Sequence, residues 1–163
     1  MAPSTTDSTH IPPWPKYTRD ALLEIMAGNE DAAQMMLDIA ACSHIYDDLI
    51  DGDKRVQPED IHSLVWRLLA TIPLNPFFRE HETMLRPLLI TGIINWHAAN
   101  QMEQGGELEE LRIAHAIRYS IGDVGLMAMA LAGGHDHAVK NARRARLLFQ
   151  YDTWAHYKSE HAK

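Results

Sequence analysis

The chain has 163 residues and a formal net charge of −7, with 46% hydrophobic and 23% charged residues. A chain of this length can bury a core, and this composition excludes a disordered, collagen-like or disulfide-stabilised protein. The excess of acidic residues argues against a surface that coats nucleic acid. No apolar run reaches the roughly 18 residues that a membrane span requires. The single cysteine, Cys42, cannot form an internal disulfide, and the opening residues do not have the pattern of a secretory signal. We therefore expect a soluble, cytoplasmic protein without a membrane partner.

The N-terminal residues differ in composition from the rest of the chain. Residues 1–16 are rich in proline, serine and threonine and offer little to bury, which predicts a flexible arm. Residues 17–163 are predicted to form a single helical domain. Its first helix is short, since Thr18 provides a cap and Gly28 a stop signal.

The central part of the chain carries repeated helix-start and helix-stop signals. Asn29 and Gly52 bound a second predicted helix. Pro58 opens a third, because proline is favoured in the first turn of a helix. The pair Asn75–Pro76 opens a fourth, in which Pro87 is expected to cause a kink or a restart.

Two further helices complete the predicted fold. One runs from about Glu107 to Ala132, and the last runs from about Asp136 to near the C-terminus, with Gly133–Gly134 between them. No segment shows the apolar-polar alternation of a β-strand. The sequence therefore predicts an all-α fold, a compact bundle of about six or seven helices.

Acidic residues gather at the end of the second predicted helix. Asp47, Asp48 and Asp51 lie within one turn, where like charges repel and oppose the helix dipole. An ion or a positively charged group must offset that repulsion, and Mg²⁺ favours carboxylate oxygens. Lys54 and Arg55 follow as candidate phosphate ligands. The alternative is a solvated acidic helix end beside an ordinary charged loop.

A second polar group is predicted in the two following helices. Asn95 and Glu103 share one helix face, and Tyr119 and Asp123 stack on the next helix with Arg118 beside them. We expect Asp123 to be enclosed and to pair with Arg118, Tyr119 or a facing cation, because an unpaired buried charge is costly. The alternatives are a helix that leaves the core and a structural ion pair.

Three of these patterns resemble the motifs of isoprenoid synthases. Asp47-Asp48-Leu-Ile-Asp51 resembles their aspartate-rich metal-binding motif. Asn95 and Glu103 resemble the ends of their Asn-Ser-Glu motif, although Ala99 stands at the serine position. The pair Arg118–Tyr119 is similar to a diphosphate-contacting pair. The resemblance implies an isoprenoid-synthase-like bundle and a Mg²⁺-dependent enzyme that acts on a phosphate or diphosphate ester.

A broader part of the chain resembles small helical proteins of unassigned function encoded by bacteriophages and prophages. The similar segments are 46–54, 74–78, 95–100 and 118–119. This resemblance implies an accessory protein in the host cytoplasm. The alternative hypotheses are therefore the enzyme described above and a non-catalytic assembly or partner-binding module. The expected binding partner is an unknown protein, another copy of the chain or a phosphate-bearing small molecule.

Overall fold

The computed structural model describes residues 17–52 and 54–161, so the predicted arm at residues 1–16 lies outside the described residues. All regular elements within these ranges are helical, which confirms the predicted all-α fold. They are α1 (Arg19–Ile25), α2 (Glu30–Asp51), α3 (Pro58–Trp66), a π-helical turn (Arg67–Thr71), α4 (Ile72–Leu74), α5 (Pro76–Gly105), α6 (Leu108–Arg118), α7 (Ile121–Leu148) and α8 (Trp154–His161).

Each of the first two helices begins at its predicted cap, and α2 ends at its predicted glycine, whereas α1 ends at Ile25, before the predicted stop at Gly28. The Thr18 hydroxyl accepts a hydrogen bond from the backbone N–H of Ala21, and the Asn29 side chain accepts one from Ala32. These bonds satisfy donors that have no partner within the first helical turn. Gly52 ends α2 in the left-handed conformation, with φ of 67°. The acidic end of α2 is therefore fixed in position by ordinary helix-capping chemistry.

The main apolar core lies where α2, α5 and α7 pack against one another. Met35 and Met36 of α2, Leu85 of α5 and Met129 of α7 are fully or almost fully buried in it. A second, smaller cluster joins α5, α6 and α8. It consists of Ala99, Leu111, Ala114 and Tyr157. This second cluster holds the C-terminal helix beside the end of α5.

The third predicted helix changes its geometry after Trp66. The π-helical turn Arg67–Thr71 follows directly, and the backbone N–H of Ile72 donates to the carbonyl of Arg67, five residues earlier. The fourth predicted helix corresponds to α5, which runs through Pro87 without the expected interruption. Pro87 and Thr83, whose carbonyl loses its helical partner there, are both exposed, so water can replace the missing hydrogen bond.

The long helix predicted from Glu107 to Ala132 is instead divided after Arg118. Tyr119 and Ser120 form a turn between α6 and α7. The Ser120 hydroxyl donates to the carbonyl of Ile117 and accepts from the Asn95 side-chain amide, 2.9 Å away. These hydrogen bonds of the Ser120 side chain compete with the backbone hydrogen bonds of a continuous helix, and they stabilise the turn.

The predicted glycine break lies within the boundaries of α7. Gly134 has φ of 78° and ψ of 176°, so the chain turns there between two helical parts. Across the described residues, no helix combines the length and the apolar character needed to cross a bilayer.

Candidate functional site

The Arg118 guanidinium joins three carboxylates from two other helices. Its Nη1 atom donates to Glu103 Oε1 at 2.9 Å and to Asn100 Oδ1 at 2.8 Å. Its Nη2 atom donates to Asp47 Oδ1 at 3.0 Å and to Asp51 Oδ2 at 3.2 Å. We call Asp47, Asp51, Asn100, Glu103 and Arg118 the Arg118 cluster. A positive group therefore offsets the repulsion between two of the α2 aspartates.

The helix ends explain why these side chains meet. Asp47 and Asp51 lie one turn apart at the end of α2, which packs beside α5. Gly106 adopts a left-handed conformation after α5, and α6 then packs closely along α5. Arg118 is the last residue of α6, where a cation interacts favourably with the negative end of the helix dipole.

Two aromatic residues complete the cluster. The indole N–H of Trp96 donates to Asp47 Oδ1 at 2.9 Å, and the Arg118 guanidinium carbon lies 5.9 Å from the Trp96 ring centre. The hydroxyl of the buried Tyr157 donates to Glu103. Sequence reasoning assigned no role to Trp96, Asn100 or Tyr157. A spacing of four and then three residues along α5 relates Trp96, Asn100 and Glu103, and this spacing was the available signal.

The charges of the cluster do not cancel. Burial alone would lower the pKa of Arg118, but Glu103, Asp47 and Asp51 outweigh that effect and raise it. Burial raises the pKa of Asp51, and the nearby Asp47 adds to this rise while Arg118 opposes it. Burial and the hydrogen bond to Glu103 raise the pKa of Tyr157. Three carboxylates thus surround one guanidinium and compete for it.

The predicted metal ligands do not converge on one point. Asp47 and Asp51 both face Arg118, whereas Asp48 pairs with Lys54 at 3.4 Å. The guanidinium takes the position between the first two carboxylates that a shared Mg²⁺ would need. Arg55 lies exposed in the loop after α2. The arrangement therefore does not fit one ion held by all three aspartates, and the predicted magnesium cofactor stays a prediction.

Asn95 and Asp123 make their contacts outside the Arg118 cluster, whereas Tyr119 lies close to it. The Asn95 side-chain amide donates to the Ser120 hydroxyl and not to a residue of the Arg118 cluster. Asp123 is not enclosed as expected, because its side chain is half-exposed, and it pairs with the facing cation Arg146. The turn after Arg118 moves Asp123 away from that residue. Burial raises the pKa of the Tyr119 hydroxyl, and the Tyr119 ring packs against His115.

The raised pKa of Asp51 leads to a stability prediction. Because folding favours the protonated form of this carboxyl, its contribution to stability decreases as the pH rises above the ordinary aspartate value. We expect Asp51→Asn, which keeps an acceptor oxygen for Arg118, to match the wild type or to be more stable by up to about 1 kcal/mol at neutral pH. Thermal melting from pH 4 to pH 7 measures this difference. A clear loss of stability at neutral pH would contradict the assignment.

Comparison with known proteins adds no relative to this description. No protein-family model, no curated protein and no solved structure matches the chain.

Proposed function

We propose that this chain is a non-catalytic assembly module that pairs with a second copy of itself through one exposed apolar surface. The accessory role implied by the resemblance to phage and prophage proteins agrees with such a module. The observation that carries the proposal is the apolar surface formed by α3 and the π-helical turn. We call it the α3 face, and its residues are Ile61, Val65, Trp66, Leu68 and Leu69.

The α3 face exposes large apolar side chains side by side. Trp66 is 69% exposed and Leu69 is 76% exposed. A shallow pocket lined by His62, Val65, Trp66, Leu69 and their neighbours lies along the same surface. Isolated exposed apolar residues are common on proteins, but a contiguous group of this kind is typical of an interaction surface. The π-helical turn in the same segment agrees with this interpretation, because such turns are frequent at functional sites.

The distribution of charge favours a second copy as the occupant. Residues 61–79 contain no aspartate or glutamate, although the chain has 22 acidic residues. The Arg67 guanidinium, which lies within this segment, pairs with the buried Asp38. Two copies with a net charge of −7 each repel over most of their surfaces. Beyond the first turn of α3, where Glu59 and Asp60 lie, the α3 face is a place where they can approach with fewer opposing carboxylates.

Sedimentation velocity over a range of protein concentrations tests this proposal. We expect the wild type to shift from monomer to dimer as the concentration rises. Leu69→Glu should weaken the association by tenfold or more, because burying one leucine side chain contributes about 1.5–3 kcal/mol. Val139→Glu is the matched control, since Val139 is an apolar residue on α7 that is also well exposed, at 65%.

Three results would overturn self-association through the α3 face. One is a wild type that stays monomeric at the highest concentration. The others are a dimer that Leu69→Glu leaves intact and a dimer that Val139→Glu weakens as much as Leu69→Glu does.

A second candidate function is the Mg²⁺-dependent enzyme that the resemblance to isoprenoid synthases implies. The observation in its favour is the surplus of negative charge, since Asp47, Asp51 and Glu103 share one guanidinium. The melts of the wild type and of Asp51→Asn, repeated with Mg²⁺ and pyrophosphate, distinguish the two candidates. A Mg²⁺-dependent rise in melting temperature that Asp51→Asn abolishes would favour the enzyme, because a ligand of the folded state stabilises it.

A further inference from the structure

A group of potential metal ligands lies along α8 and the residues just before it, and none of its members belongs to the Arg118 cluster. Asp152, His156 and Glu160 are spaced four residues apart. His156 and Glu160 therefore share one face of α8, and Asp152 continues that face in the residues just before the helix. One ligand atom from each residue lies within 4.8 Å of the other two. We propose that these three side chains bind a divalent transition-metal ion such as Zn²⁺.

The distances between the ligand atoms suit a small divalent ion. His156 Nδ1 lies 2.8 Å from Asp152 Oδ2 and 3.6 Å from Glu160 Oε2. Ligand atoms held about 2.0–2.2 Å from a tetrahedral zinc ion are roughly 3.3–3.6 Å apart. Small rotations of the side chains would therefore bring all three atoms into coordination without a movement of the backbone.

The three residues form a site that is buried on one side and open to solvent on the other. Asp152 is 3% exposed, His156 is mostly buried and Glu160 is half-exposed. The other carboxylate oxygen of Asp152 accepts a hydrogen bond from the Thr153 backbone N–H at 2.6 Å. This bond orients the carboxylate, as outer contacts do in established metal sites. The exposed side near Glu160 leaves room for water as the fourth ligand.

The chemistry of the donor set decides the class of metal. One imidazole and two carboxylates favour zinc and similar ions over Mg²⁺, which prefers oxygen ligands alone. His156 Nδ1 and Asp152 Oδ2 form a hydrogen bond of 2.8 Å. An ion bound by both atoms takes the place of the hydrogen between them, and neutral His156 then carries its hydrogen on Nε2. Metal binding should therefore weaken as the pH falls and His156 becomes protonated.

Isothermal titration of the full chain with Zn²⁺ tests the proposed site. We expect one saturable ion per chain and a rise in melting temperature on loading. His156→Gln should weaken binding by about tenfold or more, since loss of even an outer contact weakens metal sites by that amount. Glu160→Gln, at a half-exposed position, should also weaken binding and gives a second variant that is expected to fold normally.

The exposed pair His135–Asp136 provides the matched control for adventitious zinc binding. His135→Gln should leave the titration unchanged. The proposal is overturned if the wild type shows no saturable binding, if His156→Gln binds as tightly as the wild type, or if His135→Gln weakens binding as much as His156→Gln. These outcomes are independent of the sedimentation result, because the α3 face contains none of the three ligands.

Discussion

Arg118→Met is expected to lower the free energy of unfolding by about 3–5 kcal/mol, the usual effect of removing one partner from a largely buried ion pair. The substitution leaves Glu103, which is 11% exposed, without its cation. It also removes the positive charge that separates Asp47 from Asp51. Equilibrium unfolding in urea at neutral pH measures the loss.

Two variants separate the charge of Arg118 from its shape and from general effects on α6. Arg118→Lys should recover only part of the stability, because an ammonium group cannot repeat the forked contacts of Nη1 and Nη2. Arg112→Met removes an exposed arginine that pairs with Glu109 on the same helix, so it should cost less than about 1 kcal/mol. Equal losses for Arg112→Met and Arg118→Met would show that the cluster has no special role.

The local parts of the Arg118 cluster could be predicted from the sequence. Asp47 and Asp51 are one turn apart on a helix whose caps, Asn29 and Gly52, are both ordinary signals. Their repulsion indicated that a cation was needed. Arg118 was a candidate residue, but the spacing of residues along each helix contains no measure of the distance between α2 and α6. The choice between an ion and a guanidinium therefore depended on tertiary packing.

The contacts of Asn95 and Asp123 could not be predicted, because the turn at Tyr119 and Ser120 was not predicted. No glycine or proline marks the break after Arg118, and Ser120 forms it through hydrogen bonds to residues from two helices. Helical spacing continued across that break rotates Asp123 to the wrong side. Trp96 and Asn100 lie on a neighbouring face of α5. The predicted face joins Asn95 to Glu103 through Ala99, which is buried in the structure.

Asp38 is a buried charged residue that could not be recognised from the sequence. It lies on the apolar side of α2, is 1% exposed and pairs with Arg67, the first residue of the π-helical turn. The neighbouring Gln34 side chain also donates to it, at 3.3 Å. A single acidic residue among apolar residues is usually predicted to be exposed. Its burial can be recognised only when its partner is known, and that partner lies 29 residues later in the chain.

Arg67→Met is expected to destabilise the fold by about 3–5 kcal/mol, because the substitution leaves the buried Asp38 without the partner of its ion pair. The double variant Asp38→Leu with Arg67→Met should recover most of this loss, since apolar residues of similar size replace a buried ion pair at little cost. Urea unfolding of both variants measures the two free energies. If the double variant is no more stable than Arg67→Met alone, the loss comes from disruption of the π-helical turn and not from the stranded carboxylate. Recovery in the double variant would instead establish that Arg67 joins the α3 face to the core chiefly by neutralising Asp38.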